Sequence, residues 1–371
     1  MLVFLSKNKR KMKRIIIAIL LLCIVFSGCS SNNMPEESSD KQKTGTIYLY
    51  GEKHNNEKIM ALELELWQKY YNEQGMRHLF VEYSYYTAQL LNQWMQAEGD
   101  EILEDIFRAW SGTSAGGEAN RNFLKAIKET CPETVFHGTD VGHQYNSIGA
   151  KYLYELKEKG LEDTEEYMLT REAMKQGRSY YGSDEPNHAF RENAMTENFI
   201  REFEALNGES VMGIYGSAHT ALDSLNITGE VDCMAKQLFA KYGDNVISEN
   251  LYETILKNAE PISESFVIIK EKEIKAFYYG SEDISTYFPE YKKREFWLLE
   301  DAYDILSEYT LNGNMLPQGD WPMLLKKDTA YMIVYFLKDG TQKTEYQICD
   351  GTEFNKELCT YEVTLQNLRL I

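Results

Sequence analysis

Residues 46–74 constrain this chain more than any other stretch. Residues 46–50, Thr-Ile-Tyr-Leu-Tyr, are apolar and rich in β-branched and aromatic side chains, the composition of a short buried strand. Residues 57–74 carry Ile59, Met60, Leu62, Leu66, Trp67 and Tyr70 at helical spacing, and Gly75 stands where a C-cap belongs. Gly51 to Asn56 is therefore a strand-to-helix turn. In an open α/β sheet such turns lie at the carboxyl edge, where ligands bind. Gly51 lets the backbone turn sharply. Glu52 and His54 then stand at the mouth as a carboxylate and an imidazole, groups suited to acid–base chemistry or metal binding. The plainer reading makes Glu52 a helix cap and His54 a surface residue, and this motif alone favours it.

Three more strands of the same kind are expected at 77–82, 133–140 and 210–215, separated by helices at 87–97, 101–110, 122–129, 147–159, 164–176 and 189–206, with another at 232–241. Residues 111–120 and 178–188 read as loops. Alternation of this type predicts an α/β fold: a parallel-sheet core with helices on both faces. From about Pro261 the texture changes. Strands are expected at 265–270, 274–279 and 296–302, and residues 330–337 and 342–348 flank a Lys-Asp-Gly-Thr turn as a hairpin. The domains expected are thus an α/β unit at 45–258 and a small β-rich C-terminal domain at 259–371.

The four strands of the first unit each end in ionisable side chains: Glu52 with His54, Glu82, Asp140 with His143, and His219. If the strands are parallel, these ends share one edge. One such end means little; four in sequence point to a shared cleft. His78 opens its strand and His137 lies inside its own, so neither belongs to that edge. On the helix at 189–206, Arg191, Met195, Asn198 and Glu202 share a face. A guanidinium there can pin a carboxylate such as Glu82 or a substrate anion; the bland alternative is a solvated Arg–Glu face. No Gly-x-Ser-x-Gly elbow is present, which argues against a serine nucleophile.

The N-terminus reads as a targeting segment. Lys7, Lys9, Arg10, Lys11, Lys13 and Arg14 precede an apolar run at 15–26 that is short for a membrane span. Ser27-Gly28-Cys29 follows, and the whole resembles a bacterial lipoprotein signal, which implies cleavage before Cys29 and a lipid on that cysteine, anchoring the chain to a bacterial membrane outside the cytoplasm. A simple secretory signal or an N-terminal anchor would also place the rest outside the cytoplasm. Residues 29–44 are polar and Ser-rich, a flexible tether. Removing six basic and no acidic residues with 1–28 takes the formal charge from −19 to about −25. So acidic a chain has no electrostatic footprint for nucleic acid, and anionic lipid heads would repel it, leaving the lipid to hold it. An extracytoplasmic site permits disulfides: Cys349 and Cys359 flank an Asp-Gly turn, and a bridge there and four buried thiols (with Cys131 and Cys233) are equally open readings.

Gly51-Glu52-x-His54 after the first strand, Glu82 ending the next, Arg191-Glu192-x-x-Met195-x-x-Asn198 on a later helix and Gly216-x-x-His219 resemble the erythromycin-esterase/ChaN-like/Tiki superfamily. The resemblance covers roughly residues 46–251; members usually carry Arg-Asp where this chain has Arg191-Glu192. It implies one of three activities: ester hydrolysis through Glu and His, metal-dependent peptide hydrolysis, or haem binding. Carried over by position, Glu52, His54, Glu82, Arg191 and His219 would form the site. The first expectation is a hydrolase of an ester or amide bond in a small-molecule or peptide substrate. In it, His54 is a base oriented by Glu52 or Glu82, or His54, His219 and Glu82 hold a divalent ion that activates water. Asp140, His143 and Asn198 would support the site. The alternative is a haem- or metal-binding surface lipoprotein without turnover.

Overall fold

Five strands form a wholly parallel sheet: β1 (Ile47–Glu52), β2 (His78–Ser84), β3 (Val135–Asp140), β4 (Val211–Gly216) and β5 (Val246–Asn250). They are ordered β3-β2-β4-β1-β5. The structure is a computed structural model that describes residues 44–285, 288–354 and 357–364. The expected signal segment, Cys29 and the tether through residue 43 lie outside the described residues.

The period-two alternation of each strand sends side chains to two different cores. Tyr50, Leu79, Val81 and Met212 meet one set of helices: α1 (Glu57–Gln74), α2 (Tyr85–Gln96), α3 (Glu101–Ala109) and α4 (Glu118–Thr130). Trp67, Leu91, Ile106 and Leu124 fill that core. Their register neighbours Ile47, Leu49, Phe80 and Val211 face the other way. There they pack on Met195 and Phe199 of α7 (His188–Ala205) and on Met234 and Leu238 of α8 (Met234–Tyr242). Between β3 and α7 run α5 (Ile148–Glu158) and α6 (Glu165–Tyr181). The core is thus a parallel sheet with helices on both faces.

The strand order fixes where a ligand can enter. The chain passes β1 to β2 to β3 in one direction across the sheet and returns from β3 to β4 to β5 in the other. β2 and β4 are neighbours whose outgoing connections diverge, which opens a crevice at their carboxyl ends.

After α9 (Leu251–Lys257) the chain builds a second, antiparallel sheet. Its strands are β6 (Ser263–Ile269), β7 (Lys272–Asp283), β8 (Tyr291–Leu299), β9 (Thr310–Pro317), β10 (Thr329–Leu337), β11 (Gln342–Cys349), β12 (Glu353–Phe354) and β13 (Glu357–Thr364). The order is β12-β13-β11-β10-β8-β7-β6, with β9 on β13. A one-turn helix, α10 (Tyr303–Leu306), precedes β9. The expected hairpin is β10–β11, with Gly340 at φ 91° in its turn. Both sheets belong to one compact unit. Tyr252 of α9 places its hydroxyl 3.0 Å from the Gly319 carbonyl, and Lys53 Nζ donates to the same oxygen at 2.6 Å.

Several expectations shift. α6 continues to Tyr181 because Tyr180 is buried against Val141 and Ala194, which shortens the loop expected at 178–188 to residues 182–187. α4 opens at Glu118, inside the loop expected at 111–120. The strand expected at 296–302 is the second half of β8, whose first half hides in the polar run Lys292-Lys293-Arg294. β5, α9, α10, β9, β12 and β13 carry no expectation from the sequence. Cys131, Cys233, Cys349 and Cys359 are all free and buried, so the alternative of a Cys349–Cys359 bridge is not formed. Among the described residues no helix is long and apolar enough to cross a membrane.

Candidate functional site

The turn after β1 is pinned at both ends. Asn56 caps α1, its side chain accepting from the Lys58 and Ile59 amides at 3.1 and 3.2 Å. Asn55 takes a left-handed conformation, φ 57°, which asparagine tolerates better than most residues. Asn56 does the capping, so Glu52 is left to turn toward the crevice. Its Oε1 lies 2.7 Å from His54 Nδ1. The pairing points His54 Nε2 toward Glu82, 4.0 Å away, while the ring stays 42% exposed.

Glu82 is held from three sides. Oε1 accepts from Arg191 Nη2 at 2.6 Å, and Oε2 accepts from the Gly216 amide at 2.6 Å. His219 Nε2 lies 3.7 Å from Oε1. Arg191 also grips Asp140 with Nε and Nη2, at 2.9 and 2.7 Å. This is the fork geometry that makes arginine specific for carboxylates. These contacts use Nε and Nη2; among the described residues Nη1 has no hydrogen bond. His219 Nδ1 lies 2.8 and 3.0 Å from the two oxygens of Glu192, which also accepts from the Met234 amide at the start of α8.

These groups surround a cavity of about 370 Å³ beside the crevice. Glu52, His54, Glu82, Asp140, His143 and Arg191 line it. His219 does not: it is buried behind Glu82 and supports that carboxylate. Asn198 donates to the Thr139 carbonyl at 3.0 Å and bonds Gln176, so it braces the end of β3 away from the cavity. His143 stands at the rim with its ring 4.9 Å from that of Tyr181. Off the edge, His78 and His137 bond each other at 2.9 Å, and His188 bonds Tyr180.

The charges are mutually tuned. Burial disfavours the His54 cation, but the hydrogen bond to Glu52 and the field of Glu82 outweigh it and push His54 up to about 9. Burial also works against the Glu82 charge, yet His219, Arg191 and His54 hold it well below the usual carboxylate range. His219 is raised in spite of its burial, by Glu82 and Glu192. For His143 burial wins, and it is lowered.

Sequence reasoning missed Glu192 as a partner of His219, and it missed Glu63, which lines the cavity from α1. A signal for Glu63 was present: it lies midway between Ile59 and Trp67 on the helix's apolar stripe, an unusual place for a carboxyl group.

As placed, the donors do not fit a divalent ion. Both Glu82 oxygens are engaged, one by a guanidinium and one by the Gly216 amide. Among the described residues no group of three or more His, Cys, Asp or Glu side chains is set to hold a metal.

No family model matches the sequence, and no curated protein does. Solved structures with a similar trace include a protein from Bacillus cereus, at 13% identity and TM-score 0.40. A succinoglycan biosynthesis protein aligns at 10% and 0.40, and a mutant of the erythromycin esterase EreC in its open conformation at 11% and 0.39. Each alignment covers 55% of this chain; it spans 65% of the first two structures and 69% of the third. Likeness at this level assigns no family and no activity.

Proposed function

We propose that this chain hydrolyses an ester or amide bond, with Glu52 and His54 as a base dyad at the cavity mouth. The observation that carries the reading is the 2.7 Å Glu52–His54 contact, which fixes the imidazole by Nδ1 and leaves Nε2 toward the cavity. In this reading neutral His54 takes a proton from water through Nε2 as the water oxygen attacks the substrate carbonyl carbon. The charge that develops on the carbonyl oxygen lies against the Arg191 guanidinium, which lines the cavity. When the intermediate collapses, His54 returns the proton to the departing alkoxide or amine. Glu82 and Asp140 hold the guanidinium in place, and His219 holds Glu82. The basic and apolar run before Cys29 supports a lipid anchor outside the cytoplasm. Fatty-acid labelling lost in Cys29→Ser tests it, and labelling retained in that variant would rule the anchor out.

The test of the activity is a panel of simple aryl and alkyl esters and peptide amides. Turnover by the unaltered protein is expected to drop by about 10²–10⁴ in His54→Ala with the fold retained by circular dichroism. Turnover that persists unchanged in that variant would remove the dyad from the mechanism.

A further inference from the structure

Glu63 is 0% exposed, lines the cavity, and neither of its oxygens has a hydrogen-bond partner. Glu52 presents a second such group: Oε1 holds His54, but Oε2 is buried without a partner. The two carboxyl groups do not bond each other. Two polar side chains of the same lining are already engaged. Tyr83 gives its hydroxyl proton to Asn120 Oδ1 at 3.0 Å, and Asn120 Nδ2 donates to the Ala115 carbonyl at 2.8 Å. Met60, Val81, Phe123 and Ile214 add apolar lining to the cavity. Three buried oxygens of two residues that line the cavity therefore have no hydrogen-bond partner, a costly arrangement unless a ligand supplies one. The sign of the field says which kind. Around the cavity Glu52, Glu82 and Asp140 oppose only His54 and Arg191, so the excess is negative even with Glu63 protonated.

We propose that the cavity, at its Glu52 and Glu63 lining, is a subsite for a protonated primary amine, whose three N–H bonds match the three unpartnered oxygens. This rests on reading the cavity as the substrate site, and it narrows the substrate to an amine-bearing ester or amide. Desolvation and the nearby Glu52 keep Glu63 well above the usual glutamate range in the free protein. When the ammonium binds, Glu63 releases that proton to solvent and the ammonium takes its place.

The experiment is calorimetric titration of the full chain in detergent micelles with n-butylammonium chloride and, separately, n-butanol, the neutral compound of similar shape. The ammonium is expected to bind at least about tenfold more tightly than the alcohol, and Glu63→Gln to weaken the ammonium by about tenfold or more while leaving the alcohol unchanged. Equal binding of the two probes, absence of ammonium binding, or an unchanged affinity in Glu63→Gln would overturn the subsite. The comparison of probes on the unaltered protein stands even if the variant folds poorly. Because binding is read without turnover, amine binding with no hydrolysis would defeat the hydrolase reading alone.

Discussion

At the scale of single residues, His54 sets the working pH. A base must be neutral to accept a proton, and Glu52 and Glu82 keep this one charged up to about 9. kcat/KM for an ester is therefore expected to rise with pH and level off above about 9, and the rise is expected to shift to lower pH in Glu52→Gln, which removes one source of the upward shift. A profile that instead falls through that region would make the imidazolium the active form. Glu52, Glu82 and Asp140 could be placed in the sequence because each ends a run read as a strand, so strand direction alone delivered them to one edge. Arg191 followed from helical spacing. Glu192 did not, because its partner His219 approaches from a different connection and no local pattern links them. His219 itself was expected in the cleft; burial behind Glu82 is a matter of packing depth, which strand order does not encode.

At the scale of elements, α1 does two things at once. Its first turn, capped by Asn56, sets the Glu52–His54 geometry, and its apolar face carries Glu63 into the core. The second costs stability at neutral pH. A glutamate in the unfolded chain ionises above its ordinary value of 4.5, whereas burial raises Glu63 well above that in the fold. A raised carboxyl contributes stability below the unfolded value and loses it as pH rises through the folded one. Glu63→Gln is thus expected to raise the melting temperature relative to the unaltered protein, by more at pH 8 than at pH 5. A difference that does not grow with pH would mean Glu63 is charged in the fold. The elements legible beforehand were β1 to β4, α1 to α8, β6, β7 and the β10–β11 hairpin, whose local patterns carry the signal. β9, with Asn312, Gly313 and Asn314, carries too little apolar character to read as a strand, and its pairing with β13 is what makes it one.

At the scale of the whole molecule, the two sheets frame a cleft of about 2030 Å³ that reaches His54 and Asn55 from one side and Tyr278, Tyr291 and Tyr335 from the other. The sequence announced a second, β-rich region but gave no sign that it touches the first motif. It does so through Lys53, the residue between Glu52 and His54, whose ammonium is held by the Gly319 carbonyl. A hydrogen bond from a charged donor is worth about 1.5–3 kcal/mol. Lys53→Met is expected to lower kcat/KM by about tenfold; full activity in that variant would show that the turn holds itself. The Lys53 contact also bears on modularity. Every side chain named around the small cavity precedes residue 258, so a protease nick between the sheets would leave one fragment with a complete inventory of chemistry. That fragment would lack the carbonyl, 266 positions along the chain, against which the turn is braced. The site is thus not a portable cassette: its parts list is local, and its alignment is borrowed from the far end of the chain.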